Sequence, residues 1–262
     1  MKPLLSIITI NLNDVNGLKK TINSVVNQTF QDFEYIIIDG GSSDKSIELI
    51  QNNNERINYW VSEKDSGIFN AMNKGIKVAN GTYLLFLNSG DVLNGSSALQ
   101  DFISSPDFEG DIIYGDYKFD RGGKVYPDVL TPLFFIKSSL PHQSTFFKSH
   151  VFDEMGYYDE RYKIVADRAF YIKCFLSNLF VFKHVNYFLT VFNMSGISND
   201  SIYTFKKNEE DNTVFKEYYG VFYDDFKAMI SLQHQLNQAK RETVKGIFSR
   251  ILNKIKLICR NR

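Results

Sequence analysis

The sequence predicts an α/β fold: a mostly parallel central sheet flanked by helices, followed by a helical C-terminal extension. Three observations carry that expectation. Strand-like and helix-like segments alternate through the first half of the chain, which is the pattern of βαβ units and a parallel sheet. The stretch GTYLLFLNSGD, from Gly81 to Asp91, is an apolar run that stops at a polar loop ending in a carboxylate, as a central strand covered on both faces does. From about Tyr203 onward the pattern is wholly helical.

Taken in order, Leu4–Ile10 reads as the first strand, β-branched and ending at Asn11, rather than as a signal peptide, because it lacks a small-residue cleavage site. A helix over about Val15–Asn27 follows, then a strand at Phe33–Ile38, a helix over about Ser43–Asn52 and a short strand near Ile57–Val61. Ile68, Ala71, Met72, Gly75, Ile76 and Ala79 recur at near-helical spacing, so a helix from about Ile68 to Val78 leads through Asn80-Gly81 into the strand Tyr83–Leu87. Beyond Asp91 come a helix near Ser96–Ser104, a strand over Asp111–Phe119, a turn at Gly122-Gly123 and an irregular stretch from Pro127 to Pro141 suited to acceptor-binding loops. The expected organisation is one domain over 1–200, in halves of about 1–110 and about 111–200, and a helical extension over 201–262.

With 44% hydrophobic and 15% aromatic residues, the 262-residue chain has the composition of a packed globular protein. A formal net charge of +0 argues against a dedicated nucleic-acid binder. Two cysteines, Cys174 and Cys259, are too few for a disulfide framework or a thiolate metal site and fit a reducing compartment. No run reaches the ~18–20 apolar residues of a membrane span. The last segment, Lys240–Arg262, holds eight basic residues and one acid, with Ile247, Phe248, Ile251, Leu252, Ile255, Leu257 and Ile258 largely on one helix side. That is the pattern of an interfacial helix on an anionic membrane, and equally of a helix docked on its own domain.

Four acids stand where chemistry can gather: Asp39 after FEYIII, Asp65 in SEKDSG, Asp91 after YLLFLNSG, and Asp167 in KIVADRAF. Singly, each has a structural role open to it: Asp39 or Asp44 as a cap for the helix after GGSS, Asp65 and Asp167 as caps for the helices they precede. Jointly, acids at the ends of strands in one βα series converge on one edge of the sheet, where carboxylates repel unless a cation or polar ligand sits between them.

The blocks SIITINLND, SVVNQTFQDFEYIIIDGGSSDKS, SEKDSGIFNAMNKGIKVANGTYLLFLNSGD and PHQSTFFKSHVFDEMGYYDERYKIVADRAFYIKC, in this order, resemble a family 2 glycosyltransferase of the GT-A fold, over roughly the first 200 residues. This is the inverting kind that builds bacterial surface polysaccharides such as O-antigen, capsule and exopolysaccharide. The resemblance implies a Rossmann-like sheet, a nucleotide-sugar donor, a divalent cation, Mn²⁺ or Mg²⁺, bridging the diphosphate, and a carboxylate base. By position, Asp39 resembles the acid that reads the nucleotide base; Thr9, Asn11 and Asn13 line the same pocket, with Asp65 and Ser89 on the nucleotide side. Asp91 matches the last acid of the metal motif; Asn88, Ser89 and Gly90 stand where the usual motif has further acids, so the acid that commonly contacts ribose is absent. Asp167 matches the catalytic base, in an Ala-Asp setting where the family often has Glu-Asp, and His142 and Gln143 match a polar loop beside the donor.

The function this implies is transfer of a hexose or N-acetylhexosamine, from a UDP-sugar, to a glycan on a polyprenyl diphosphate carrier. The enzyme would be cytoplasmic and peripheral to the inner face of the bacterial plasma membrane through 240–262, with an oligomer left open. The alternative is a non-catalytic nucleotide-sugar-binding scaffold subunit, which the thinned NSGD motif motivates. A nucleotidyltransferase is disfavoured, because no Gly-rich phosphate loop lies near the first strand.

Overall fold

The computed structural model describes residues 2–193 and 201–260, with Ser201 and 249–260 as backbone only. Strand β1 (Leu5–Asn11) is buried along its whole length and lies between two parallel neighbours. Helix α1 (Val15–Val26) starts where the Asp14 carboxylate accepts the Gly17 N–H at 2.9 Å. Then come β2 (Phe33–Asp39), α2 (Ser46–Asn52), β3 (Tyr59–Ser62), α3 (Ile68–Val78) and β4 (Tyr83–Phe86). The strands β3-β2-β1-β4 are parallel, so their C-terminal ends share one edge, with Asn11 in register with Asp39 and Asp39 with Ser62.

The second half comprises β5 (Val92–Leu93), α4 (Ala98–Ile103), β6 (Ile112–Phe119), β7 (Gly122–Lys124), α5 (Pro132–Lys137), β8 (Thr145–Lys148), α6 (Ser149–Met155), α7 (Ala166–Ser177) and β9 (Phe182–Val191). The sheet order among the described residues is β3-β2-β1-β4-β8-β6-β9-β5, with β7 paired to β6. Strand β8 runs antiparallel to both β4 and β6. Its first residues therefore sit beside the C-terminal end of β4, which brings the turn His142–Ser144 to the edge where Asn88 and Asp91 emerge.

Close packing explains two glycines. A Cβ at Gly81 would meet the Ser6 backbone, and one at Gly75 would meet Ile8, so only glycine lets α3 and its exit turn lie this near β1. Phe102 of α4 stacks on Phe146 of β8 at 5.0 Å, tying helix to sheet, and Phe152 of α6 stacks on Phe170 of α7 at 4.9 Å, tying helix to helix. Each such fully buried side chain contributes ~1.5–3 kcal/mol.

Two local differences from the sequence reading have clear causes. The stretch 127–141, expected to be irregular, contains α5: the Thr131 hydroxyl accepts the Phe134 N–H at 3.1 Å and Pro132 opens the helix. Helix α2 starts at Ser46 rather than near Ser43, because the Asp44 carboxylate accepts the Ser46 N–H at 2.9 Å and the Val15 N–H at 3.0 Å.

Helices α8 (Thr204–Tyr219) and α9 (Phe222–Arg260) complete the chain. The chain divides into two compact units, Met1–Val214 and Phe215–Arg262, so the first unit runs beyond the boundary expected at 200. The cause lies in α8: Glu210 accepts the backbone N–H groups of Lys163, Ile164 and Val165, and Asp211 pairs with Arg168 at 2.7 Å. In the second unit Phe215 packs on Tyr223 and Tyr219 on Phe226. Met229, Leu232, Leu236, Val244, Ile247 and Phe248 are exposed along α9. The stripe residues Ile251, Leu252, Ile255, Leu257 and Ile258 have side chains outside the described residues. No helix of the described residues is long and apolar enough to cross a membrane.

Candidate active site

A cavity of about 810 Å³ opens at the C-terminal edge of the sheet. Of the residues singled out in the sequence, Asn11, Asp65, Ser89, Asp91, His142, Gln143 and Asp167 line it. Thr9, Asn13 and Asp39 do not: Thr9 and Asp39 are buried at the strand ends, and Asn13 is exposed.

Asp39 is fully buried at the end of β2. Its carboxylate accepts the Asn11 amide at 2.7 Å, the Ser42 hydroxyl at 2.6 Å, the Ser62 hydroxyl at 2.6 Å and the N–H groups of Gly41 and Ser42. Burial pushes its pKa up, but the hydrogen bonds from Ser42, Ser62 and Asn11 together outweigh it and hold the group below the usual carboxylate value. Asn13 continues this stitching: its N–H donates to the Ser42 hydroxyl at 2.8 Å and its side-chain oxygen accepts the Ser43 N–H at 2.8 Å. The Thr9 hydroxyl is 3.1 Å from that of Tyr35. Asn11 then faces the cavity from the front of this network and accepts the Ser89 hydroxyl at 2.8 Å.

Asp65 is not the cap of α3. Its carboxylate accepts the N–H of Gly67, the residue preceding that helix, at 3.0 Å, and Gly40 leaves room for it where a Cβ would collide. Nor does Asp167 cap α7: Val165 is the cap residue, and Asp167 lies in the first turn with its carboxylate accepting the Arg168 N–H. Glu210, forty-three residues beyond Asp167, accepts the N–H groups of Lys163, Ile164 and Val165 just ahead of the helix.

The centre of the cavity is an acid, an imidazole and an acid. Asp91 is 3% exposed, accepts the Asn193 N–H at 2.9 Å, and gives its own backbone carbonyl to the Thr21 hydroxyl at 2.8 Å. Burial pushes its pKa up to about 6, against the lowering effects of His142 and the Asn193 N–H. His142 Nε2 lies 3.0 Å from the Asn88 amide nitrogen, which can only donate, so the ring proton sits on Nδ1. That atom faces Asp167 Oδ2 at 3.6 Å, beyond a direct hydrogen bond and within ion-pair range. Burial lowers the pKa of His142, yet Asp167 and Asp91 together raise it above the ordinary histidine value. The Asn88 side-chain oxygen is buried without a hydrogen-bond partner.

The donor set suits a hydrated cation rather than an all-protein cage. Among the described residues no group of three or more His, Cys, Asp or Glu is placed to hold a metal. Asp91 offers one carboxylate at the cavity wall, which fits Mg²⁺ or Mn²⁺ taking its remaining ligands from phosphate oxygens and water.

The model of "Glycosyl transferase family 2" matches residues 6–163. The chain belongs to glycosyl transferase family 2. It is 32% identical over 210 residues to the "PGL/p-HBAD biosynthesis glycosyltransferase" of Mycobacterium bovis, covering 75% of this chain and 80% of that one. It is 34% identical over 182 residues to an "Uncharacterized glycosyltransferase" of Mycobacterium tuberculosis, covering 66% and 70%. Among solved structures, S. aureus TarS 1-349 in complex with UDP-GlcNAc superposes with a TM-score of 0.65 at 19% identity, covering 82% of this chain and 67% of that one. The mannosyltransferase PcManGT from Pyrobaculum calidifontis, in complex with GDP-Man and Mn²⁺, gives 0.56 at 13% identity, covering 76% and 59%. The fold is therefore of the GT-A type, and this family 2 protein is a transferase of sugars from nucleotide-linked donors.

Sequence reasoning does not single out Asn88 and Asn193 in the site, or Glu210 behind it; Asn193 and Glu210 take their places by tertiary contact alone. A polar residue opening a loop after a buried strand, as Asn88 does, was the one available signal.

Proposed function

We propose that this glycosyltransferase is an inverting hexosyltransferase that moves one sugar from a UDP-hexose or UDP-N-acetylhexosamine to a glycan carried on a polyprenyl diphosphate, in surface-polysaccharide synthesis. The observation that carries this reading is the meeting of Asp91, His142 and Asp167 on one cavity at the C-terminal edge of the sheet. Attack by a sugar hydroxyl on the anomeric carbon requires loss of its proton as the bond forms. Asp167, a fifth exposed and anchored by the Arg168 N–H, takes that proton, a step worth ~10²–10⁴ in rate. His142 holds its Nδ1 proton towards Asp167 and so fixes the side from which the carboxylate faces the acceptor.

Asp91 would hold the divalent cation, which when bound stabilises the charge developing on the departing diphosphate. Asn11, Ser89 and Asp65 line the nucleotide side, while Asn13 and Asp39 keep Asn11 and the Gly41–Ser43 loop in place and Thr9 packs behind them on Tyr35. The exposed Val244, Ile247 and Phe248 among basic residues support peripheral contact of 240–262 with an anionic membrane.

The Asp167→Asn variant tests this reading. It is expected to lower kcat by about 10²–10⁴ with donor affinity retained; turnover near wild type would overturn the assignment of the base. Truncation before Lys240 is expected to reduce binding to phosphatidylserine vesicles, and unchanged binding would remove the membrane contact.

A further inference from the structure

The cavity is also lined by a group of cationic side chains. Lys124, at the end of β7, is partly buried, and its ammonium donates to the Ser138 hydroxyl at 2.7 Å and lies 4.6 Å from the centroid of the Tyr126 ring. It has no carboxylate partner among the described residues. Burial, then Arg168 and Lys207, hold its pKa below the usual lysine value. Lys206 and Lys207 of α8 line the same cavity, as does Arg168, which is already paired with Asp211.

Contacts within the site order these groups. Asp91 acts on His142, His142 meets Asp167, and Arg168, the residue after Asp167, lies within electrostatic reach of Lys124. On the other flank, Asn193 holds Asp91, and its neighbour Phe192 packs on Tyr117, which packs on Tyr126 beside Lys124. Lys124 is thus linked to Asp167 through the adjacent Arg168, whereas Asp91 is reached only through Tyr126, Tyr117, Phe192 and Asn193, so the cations are associated with Asp167 more directly than with Asp91. The base must contact the acceptor hydroxyl, so the cations flank the acceptor and not the leaving diphosphate. A half-buried ammonium beside like charges is costly unless an anion is brought to it.

We propose that the acceptor carries a diphosphate ester close to its reacting sugar and that Lys124, with Lys206 and Lys207, binds it. This rests on the reading of Asp167 as the base. It implies that the enzyme acts early on its glycan: the sugar receiving the transfer lies near the carrier, and the reaction that supplies the substrate is the one that places a sugar phosphate on a lipid phosphate.

The test is direct binding of geranyl diphosphate, geranyl monophosphate and uncharged geraniol to the full chain, in the absence of divalent metal and then with UDP titrated in, in wild type, Lys124→Gln and Lys124→Arg. The diphosphate is expected to bind about tenfold tighter than geraniol, Lys124→Gln to bring that ratio close to one, and Lys124→Arg to restore it. Equal affinity for the three probes in wild type, or a ratio unchanged in Lys124→Gln, would overturn the proposal. Displacement of the diphosphate by UDP would assign the cations to the donor and overturn it equally. A monophosphate bound as tightly as the diphosphate would assign the site to phosphate esters at large and exclude the diphosphate carrier. These readouts need no turnover, so a failure of Asp167 as base appears separately, in the kinetics of Asp167→Asn.

Discussion

Replacing Glu210 with alanine should weaken the fold and slow the reaction together, although Glu210 does not line the cavity. Its two oxygens accept the N–H groups of Lys163 at 2.9 Å, Ile164 at 2.9 Å and Val165 at 3.3 Å, just ahead of α7. Loss of a helix-capping acceptor costs ~0.5–2 kcal/mol. Three donors are released here, but the exposed Lys163 regains water, so a total of about 2 kcal/mol is expected. For a unit of this size each kcal/mol lowers Tm by ~2–4 °C, giving a shift of about 4–8 °C by calorimetry. Asp167 lies in the first turn of α7, so kcat should fall while the donor KM stays near wild type. Glu210→Gln keeps one carbonyl acceptor and should recover about half of the loss. A Tm within about 1 °C of wild type together with unchanged kcat would refute the assignment of Glu210 as the anchor of the base-bearing helix.

Other predictions follow from the buried carboxylates and the glycine beside them. Asp91 has its pKa pushed up to about 6, and a cation needs the ionised form, so Mn²⁺-dependent UDP binding by calorimetry should weaken about tenfold per pH unit below 6 and level off above it; affinity flat from pH 5 to 7 would contradict a metal on Asp91. Asp39 has a folded pKa below its usual 3.8, so its contribution to stability is present above that pH and lost as pH falls through the folded value. Asp39→Asn should therefore cost on the order of 2–3 kcal/mol in urea melts at pH 7, with the gap to wild type closing below pH ~4. Gly90 has φ +95 and a Cβ there would strike the Asn193 side chain, so Gly90→Ala should lower stability by ~1–2 kcal/mol and displace the N–H that holds Asp91, which the metal dependence of UDP binding would report.

The first half of the fold was legible because its signals are local. Alternating periodicities marked β1 to β4, and the polar loops after them placed Asn11, Asp65, Ser89 and Asp91 along one edge. What sequence did not show was long-range. No local pattern says that Asp39 turns both oxygens towards Asn11, Ser42 and Ser62, or that Glu210 accepts the N–H groups just ahead of α7. Likewise, Thr131-Pro132 was a helix-start signal overlooked inside a proline-rich stretch. The charge around Lys124 joins β7, α7 and α8, elements far apart in the chain, and becomes a cluster only once the chain is folded.

The reversed direction of β8 ties the two sides of the chemistry to one measuring rule. Because Leu85 pairs with Phe146 and Tyr83 with Lys148, the distance between the metal-side loop and His142 is set by backbone hydrogen bonds rather than by a hinge. A slip of one residue in that pairing would carry His142 about 3.4 Å along the strand and turn the faces of β8 over. The segment 127–141 lies outside that pairing, so a change in its length leaves the register of β8 on β4, and with it the spacing between Asp91 and His142, unaltered.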